Sequence, residues 1–162
     1  MSTLAHAPRV LGVYRRDDLP RGVRPVTVAL WRVADPGNVG TLIRSADAFG
    51  AGVALSPGCA DPTGPKALRA SMGALFRVPL AQFDEPGGTR IALVPRDGTP
   101  LPTLELNGEV VFVLGAERLG LPAEVVERCE LRASIPQVGN TESLNVAMAG
   151  TIALYERSRR GL

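Results

Sequence analysis

Five consecutive apolar residues, Val110-Val-Phe-Val-Leu114, follow Glu109. A strand with one wet face alternates apolar and polar residues, whereas one apolar at every position is covered on both faces. That arrangement belongs to the middle of a parallel sheet with helices above and below. The rest of the chain has the matching form. β-rich or apolar runs at 26–33, 52–55, 75–80, 91–94, 109–114 and 131–135 alternate with helical segments at 38–49, 66–72, 122–128 and 143–159. Asp35-Pro36-Gly37 reads as a turn and Gly50 as a helix stop. The alternation predicts an α/β fold with a mostly parallel sheet flanked by helices. In such sheets ligands bind beyond the carboxyl ends of the strands.

A chain of 162 residues is long enough for one domain with a full core. Residues 26–162 read as that domain. Residues 1–25 are basic and irregular, with Arg9, Arg15, Arg16, Arg21 and Arg24 broken by Pro20 and Pro25, and read as a lead-in or linker. No apolar run approaches the roughly 20 residues of a membrane span. Met1–Pro8 lacks the basic stretch and apolar core of a secretory signal, so the cytoplasm is the expected location. Cys59 and Cys129 form neither a CxxC pair nor a disulfide framework. The single histidine, His6, stands near the terminus. A Ser-His-Asp triad, a Cys-His pair and a histidine-bound metal are therefore not expected, and any chemistry has to run without imidazole. The net charge of +2 is weak support for a nucleic-acid partner, but only Lys66 among the 18 basic residues is lysine. Arginine's planar fork matches phosphate oxygens, although a GC-rich genome would produce the same bias.

Three segments follow strands and carry the polar residues of interest. In Asn38–Gly50, Val39, Leu42, Ala46 and Phe49 share one helical face, Arg44 stands on the polar side, and Asn38 is placed to cap the helix. Gly40 leaves room for a close approach. In Val111–Pro122 the buried strand runs into a glycine turn containing Gly115, Glu117 and Gly120, where bare backbone at Gly115 suits contact with a ligand. It is neither GxGxxG nor a P-loop, which counts against a dinucleotide enzyme. In Ile135–Glu156, a Gly/Asn/Thr loop leads to Ser143 as a candidate cap. The helix beyond carries Leu144, Met148, Ile152 and Tyr155 on one stripe, and Val146, Ala149 and Ala153 opposite. A helix apolar nearly all round is buried on two sides: either a central core helix, or one between the core and a partner subunit.

Together these segments resemble the three motifs of the SpoU (TrmH-like) RNA 2′-O-ribose methyltransferases. The pattern has Asn, Gly and Arg followed by Ala-Phe-Gly, then Gly-x-Glu-x-x-Gly-Leu, then Ile-Pro, Gly and Ser-Leu-Asn-Val ending near Leu-Tyr-Glu. All three occur here in order within residues 26–157, and 61–79 looks like the family's ribosomal-RNA members. Gln137 stands where Met is common and Ala147 where Ser often follows Asn-Val. Many members carry a separate N-terminal RNA-binding domain, of which residues 1–25 would be the tail.

The resemblance implies a C-terminal trefoil knot, a homodimer formed through the last helix, and S-adenosylmethionine as cofactor, with no metal. It implies methylation of a ribose 2′-hydroxyl of structured RNA, ribosomal RNA favoured over transfer RNA. A non-catalytic knotted domain that binds the cofactor or RNA is the alternative. The implied cofactor pocket uses Leu114, Gly115, Gly120, Ile135, Pro136 and Leu144. The implied catalytic group is Arg44, held in an arrangement fixed by Asn38, Glu117, Ser143 and Asn145. Arg15, Arg16, Arg24, Arg69, Arg118, Arg157, Arg159 and Arg160 are candidates for holding RNA.

Overall fold

The computed structural model describes residues 12–139 and 143–160. Seven strands make one sheet: β1 (Val26–Leu30), β2 (Gly52–Leu55), β3 (Leu80–Gln82), β4 (Thr89–Leu93), β5 (Thr99–Pro100), β6 (Val110–Leu114) and β7 (Leu131–Ser134). Their order is β3-β2-β1-β6-β4-β7-β5, and every pairing is parallel. The uninterrupted apolar run is the central strand, and all five of its residues are buried. Among the described residues there are four α-helices: α1 (Pro36–Ala48), α2 (Pro65–Ser71), α3 (Ala123–Val126) and α4 (Val146–Ser158). None of the helices among the described residues is long and apolar enough to cross a membrane.

Side-chain alternation divides the core between the two faces of the sheet. Val28, Leu30, Phe112 and Leu114 pack with Val39, Leu42 and Ile43 of α1 and Leu154 of α4. Ala29, Val111 and Val113 turn the other way, toward Val125 of α3 and Phe83. Two glycines set the helix packing. A Cβ at Gly40 would overlap the Ala67 carbonyl of α2, and one at Gly150 would overlap Leu42 of α1. The close approach expected at Gly40 is therefore made by another helix, not by a ligand.

Several boundaries differ from the sequence reading. The Asp-Pro-Gly turn is the start of α1: Asp35 caps it, its Oδ1 accepting from the amides of Gly37 (2.6 Å) and Asn38 (3.1 Å). Pro36 sits at the first helical position, where its fixed φ fits and no amide is needed. Asn38 is thus not the cap. Ser143 is not a cap either, because Asn145 caps α4 by accepting from Ala147 (2.9 Å) and Met148 (3.2 Å). The strand expected over 75–80 is a 3-10 turn at Ala74–Phe76 followed by β3. Met72 (φ 50°) and Gly73 (φ 81°) are both left-handed and turn the chain out of extension. α3 is shorter than the 122–128 segment, and β1 ends at Leu30, because Arg32 at φ 51° breaks the extended run. Gly50 closes α1 at φ 66° as expected.

The described part of the lead-in lies against the domain. Leu19 is buried, Arg21 pairs with Leu80 of β3, and Tyr14 meets Phe76 edge-on at 4.9 Å. His6 and Arg9 lie outside the described residues, as do positions 140–142 of the third motif.

Candidate active site

Because the sheet is parallel, the carboxyl ends of its strands share one rim, and the three polar segments meet there. Glu117, in the turn after β6, accepts from the amides of Ala34 (3.4 Å) and Asp35 (3.2 Å) after β1. Glu117 Oε1 also accepts from Asn38 Nδ2 (3.0 Å). Asn38 Oδ1 in turn accepts from Asn145 Nδ2 (3.1 Å) at the start of α4. One hydrogen-bonded chain thus ties together elements more than 100 residues apart. It exists because Asp35 and Asn145 take the capping work. Capping by Asp35 leaves both ends of the Asn38 amide free, and the Asn145 oxygen caps while its nitrogen reaches across.

Burial alone would push the Glu117 carboxyl up, but the hydrogen bonds from Asn38 and the two amides outweigh it and hold it below the usual glutamate range. Asp35 is also held low. The largest cause is the hydrogen bond from Lys66 Nζ (2.7 Å), followed by the Asn38 amide. The one lysine of the chain is thereby committed to a carboxylate at the rim.

Beside this junction, at the ends of β4, β6 and β7, is a cavity of about 540 Å³. Leu93, Leu114, Ile135, Leu144 and Ala149 give it apolar walls, while Gly115, Gly120 and Ser143 lie on its border. A largely apolar cleft with a few placed polar groups is the usual form of a small-molecule site. One polar group stands out. Gln137 lines the cavity, and its Oε1 is buried with no hydrogen-bond partner among the described residues. A buried carbonyl oxygen without a partner costs about 1–3 kcal/mol, and this one is placed to accept from a ligand N–H or O–H. In the sequence Gln137 stands out only as a departure from the family pattern. Its burial depends on the fold of the loop and leaves no local signal.

Two expectations about individual positions change. A Cβ at Gly115 would overlap the backbone of Gly120 and Leu121, so the bare backbone at Gly115 is needed first by the turn itself. Ala116 and Gly120 close that turn as a bridge, with Gly120 at φ 65°. Pro136 does not border the cavity, although Ile135 and Gln137 do. In an extended segment alternate residues face opposite sides.

Arg44 is not joined to the junction. It is exposed and has no side-chain hydrogen bond or ion pair among the described residues. At about 100° per residue, six positions put it roughly 120° around α1 from Asn38. Ser143 is exposed at the cavity mouth and also has no hydrogen bond among the described residues. Of the arginines considered for RNA, several already have partners. Arg15 pairs with Asp18 and Arg16 with Asp61. Arg24 donates to the carbonyls of Ala51 and Arg77, and Arg157 to that of Gly108. Arg159 and Arg160 both hold Glu156, a buried carboxylate that must be paired. Arg69 and Arg118 are exposed and have no such partner among the described residues.

Residues 25–155 match the model of the SpoU rRNA Methylase family. A Synechocystis protein named as an uncharacterized tRNA/rRNA methyltransferase is 38% identical over 144 residues, covering 82% of this chain and 53% of that protein. A 23S rRNA (uridine(2479)-2′-O)-methyltransferase of Streptomyces viridochromogenes is 35% identical over 145 residues, covering 80% of this chain and 50% of that protein. The AdoMet-bound rRNA methyltransferase of Sinorhizobium meliloti has the same fold, with a TM-score of 0.80 at 36% identity. The match covers 90% of this chain and 60% of that one. The chain spans about half the length of the curated relatives it matches.

Proposed function

This chain belongs to the SpoU rRNA methylase family, and on that premise we propose that it methylates a ribose 2′-hydroxyl of structured RNA, ribosomal RNA rather than transfer RNA, using S-adenosylmethionine. The observation that carries the reading is the junction of Asn38, Glu117 and Asn145 beside an apolar cavity with the unpartnered Gln137 oxygen in its wall. The residues present fit the cofactor. Leu114, Ile135 and Leu144 would enclose its apolar parts, the turn from Gly115 to Gly120 would offer backbone groups, and Gln137 would accept a hydrogen bond from it. The bound cofactor supplies an electrophilic methyl group.

The 2′-oxygen would form a bond to the methyl carbon as the carbon–sulfur bond breaks, so the products are the 2′-O-methyl ribose and S-adenosylhomocysteine, and the hydroxyl proton passes to solvent water. A free guanidinium holds its own proton far above neutral pH, so Arg44 acts as a fixed cation that orients the ribose or its phosphate and stabilises developing charge on the 2′-oxygen. Glu117, Asn38 and Asn145 are positioning residues. They hold the loop after β1, the turn after β6 and the start of α4 in one arrangement, and Ser143 stands at the mouth where substrate enters.

Arg44 lies outside the junction within one chain, which suits a site completed by a second copy. Met148, Ile152 and Tyr155 leave 63%, 38% and 56% of their surface exposed along one side of α4. That stripe supports a homodimer formed through α4. The C-terminal trefoil knot and a cytoplasmic location complete the proposal. The test is incubation of the purified chain with radiolabelled S-adenosylmethionine and ribosomal RNA, followed by digestion to nucleosides. Label in a 2′-O-methylnucleoside is expected. Label on a base, or transfer only to transfer RNA, would refute the substrate assignment.

A further inference from the structure

Among the described residues, three non-glycine residues have positive φ: Arg32 (51°), Met72 (50°) and Asp97 (61°). Met72 closes α2, and Asp97 lies in a turn, where Asp tolerates this conformation. Arg32 also lies in a bend, but it has no short side-chain oxygen to ease this conformation. It stands two residues beyond the end of β1, at a position where glycine would hold the same backbone without strain. The surroundings hold it there: its amide donates to Ser56 Oγ (2.9 Å), and its side chain lies along Gly58, where an added Cβ would sit 3.3 Å from Arg32 Cγ. Strain kept in this way marks a side chain that does something glycine cannot.

The Arg32 side chain is exposed and has no carboxylate or carbonyl partner among the described residues. Its guanidinium carbon lies 5.8 Å from the centre of the Trp31 ring, and that ring is fixed edge-on to Phe83 at 5.2 Å. Gly58, beneath Arg32, borders a second cavity, of about 830 Å³, at the carboxyl ends of β2 and β3. Its walls include Leu55, Ser56, Cys59, Gln82 and Glu85. This cavity is on the same rim as the candidate cofactor cavity, with the loop after β1 between them. Arg32 is two residues before Ala34, whose amide holds Glu117, so the two backbone positions are no more than about 7 Å apart.

On the premise of the RNA methyl transfer proposed above, we infer that Arg32 holds a nucleotide of the substrate RNA next to the one that is methylated. Its guanidinium meets the phosphodiester at the mouth of the second cavity, and the base enters the cavity. A guanidinium beside an aromatic ring suits single-stranded RNA, whose splayed bases stack on such planes and whose phosphates accept from the planar fork. The volume is in the range of a site for a nucleoside-sized ligand. Arg32 is a binding residue for the substrate, separate from Arg44.

The conformation supplies its own control. Arg32→Gly removes the cation and suits the backbone, so the variant should fold, melt at or above the wild-type temperature, and bind S-adenosylhomocysteine as the wild type does. Binding of both proteins to ribosomal RNA is measured across a salt series with S-adenosylhomocysteine present. The variant should bind about tenfold more weakly, and its slope of log affinity against log salt should be shallower by roughly 0.7, the loss of one single-strand phosphate contact. Arg32→Lys should keep the slope. Wild-type affinity and slope in Arg32→Gly would overturn the inference while leaving methyl transfer intact. Loss of methyl transfer by the wild type, with its RNA binding still sensitive to Arg32, would refute the enzymatic reading alone. Absence of RNA binding by the wild type would overturn both.

Discussion

At the ends of β4, β6 and β7 the rim of the sheet encloses about 540 Å³ behind leucine, isoleucine and alanine side chains. At the ends of β2 and β3, across β1, it opens into about 830 Å³ whose border includes Ser56, Asp61, Gln82 and Glu85. One strand separates two surfaces suited to different ligands. The first has bare backbone, apolar walls and a single orphaned acceptor, which suit a small molecule held by shape and a few hydrogen bonds. The second is wider and more open, and Arg32, which has no carboxylate or carbonyl partner among the described residues, lies along Gly58 at its edge, which suits part of a larger anionic chain. Glu117 and Asn38 stand where the halves meet. Their hydrogen bonds reach the loop after β1, the turn after β6 and the start of α4. A parallel sheet makes this possible, because each strand delivers its following loop to the same edge.

The halves can be separated by mutation. Arg44→Ala should have the largest effect, lowering methyl transfer about 10²–10³-fold while leaving S-adenosylhomocysteine affinity unchanged in a binding assay. Equal loss of cofactor affinity would place Arg44 in the cofactor half. Gly115→Ala should be next. The new Cβ meets the backbone of Gly120 and Leu121, so chemical denaturation should show a loss of about 1–3 kcal/mol, together with weaker cofactor binding. Asn145→Ala removes both the α4 cap and the link to Asn38 and should cost about 1 kcal/mol. Asn145→Asp, which keeps the capping oxygen but loses the donor to Asn38, should recover most of that stability.

The smallest effect is in acid. Glu117 has a lower pKa folded than unfolded, so its contribution is full above the ordinary glutamate pKa of about 4.3 and is lost as pH falls through the lowered folded value. Unfolding free energies measured from pH 6 to pH 3 should fall less steeply for Glu117→Gln than for the wild type. Parallel profiles would mean that these hydrogen bonds contribute no pH-dependent stability.

Much of this rim was legible in the sequence, for identifiable reasons. A five-residue apolar run of valines, phenylalanine and leucine without alternation points to a doubly covered strand, and it is the central one. Asn38, Glu117 and Asn145 were singled out through their motifs, and they are hydrogen-bonded to one another. What sequence could not resolve was which polar residue does which local task. Asp35-Pro36 reads equally as a turn or as a cap with proline in the first helical position, and the choice decides whether the Asn38 side chain is occupied or free. Ser143 and Asn145 compete for the same capping role, which α4 settles by starting at Val146. The left-handed backbone of Arg32 and the buried oxygen of Gln137 come from tertiary packing, and no local pattern carries them.

Calorimetric titration with S-adenosylhomocysteine, of the wild type and of Gln137→Met, bears most directly on the cofactor cavity. Saturable binding by the wild type at about one site per chain is expected. The variant, which loses the Gln137 acceptor, should bind severalfold to tenfold more weakly, as for one hydrogen bond of about 0.5–1.5 kcal/mol. No binding by a folded wild-type chain would contradict the assignment of that half of the rim to the cofactor, and with it the proposed methyl transfer.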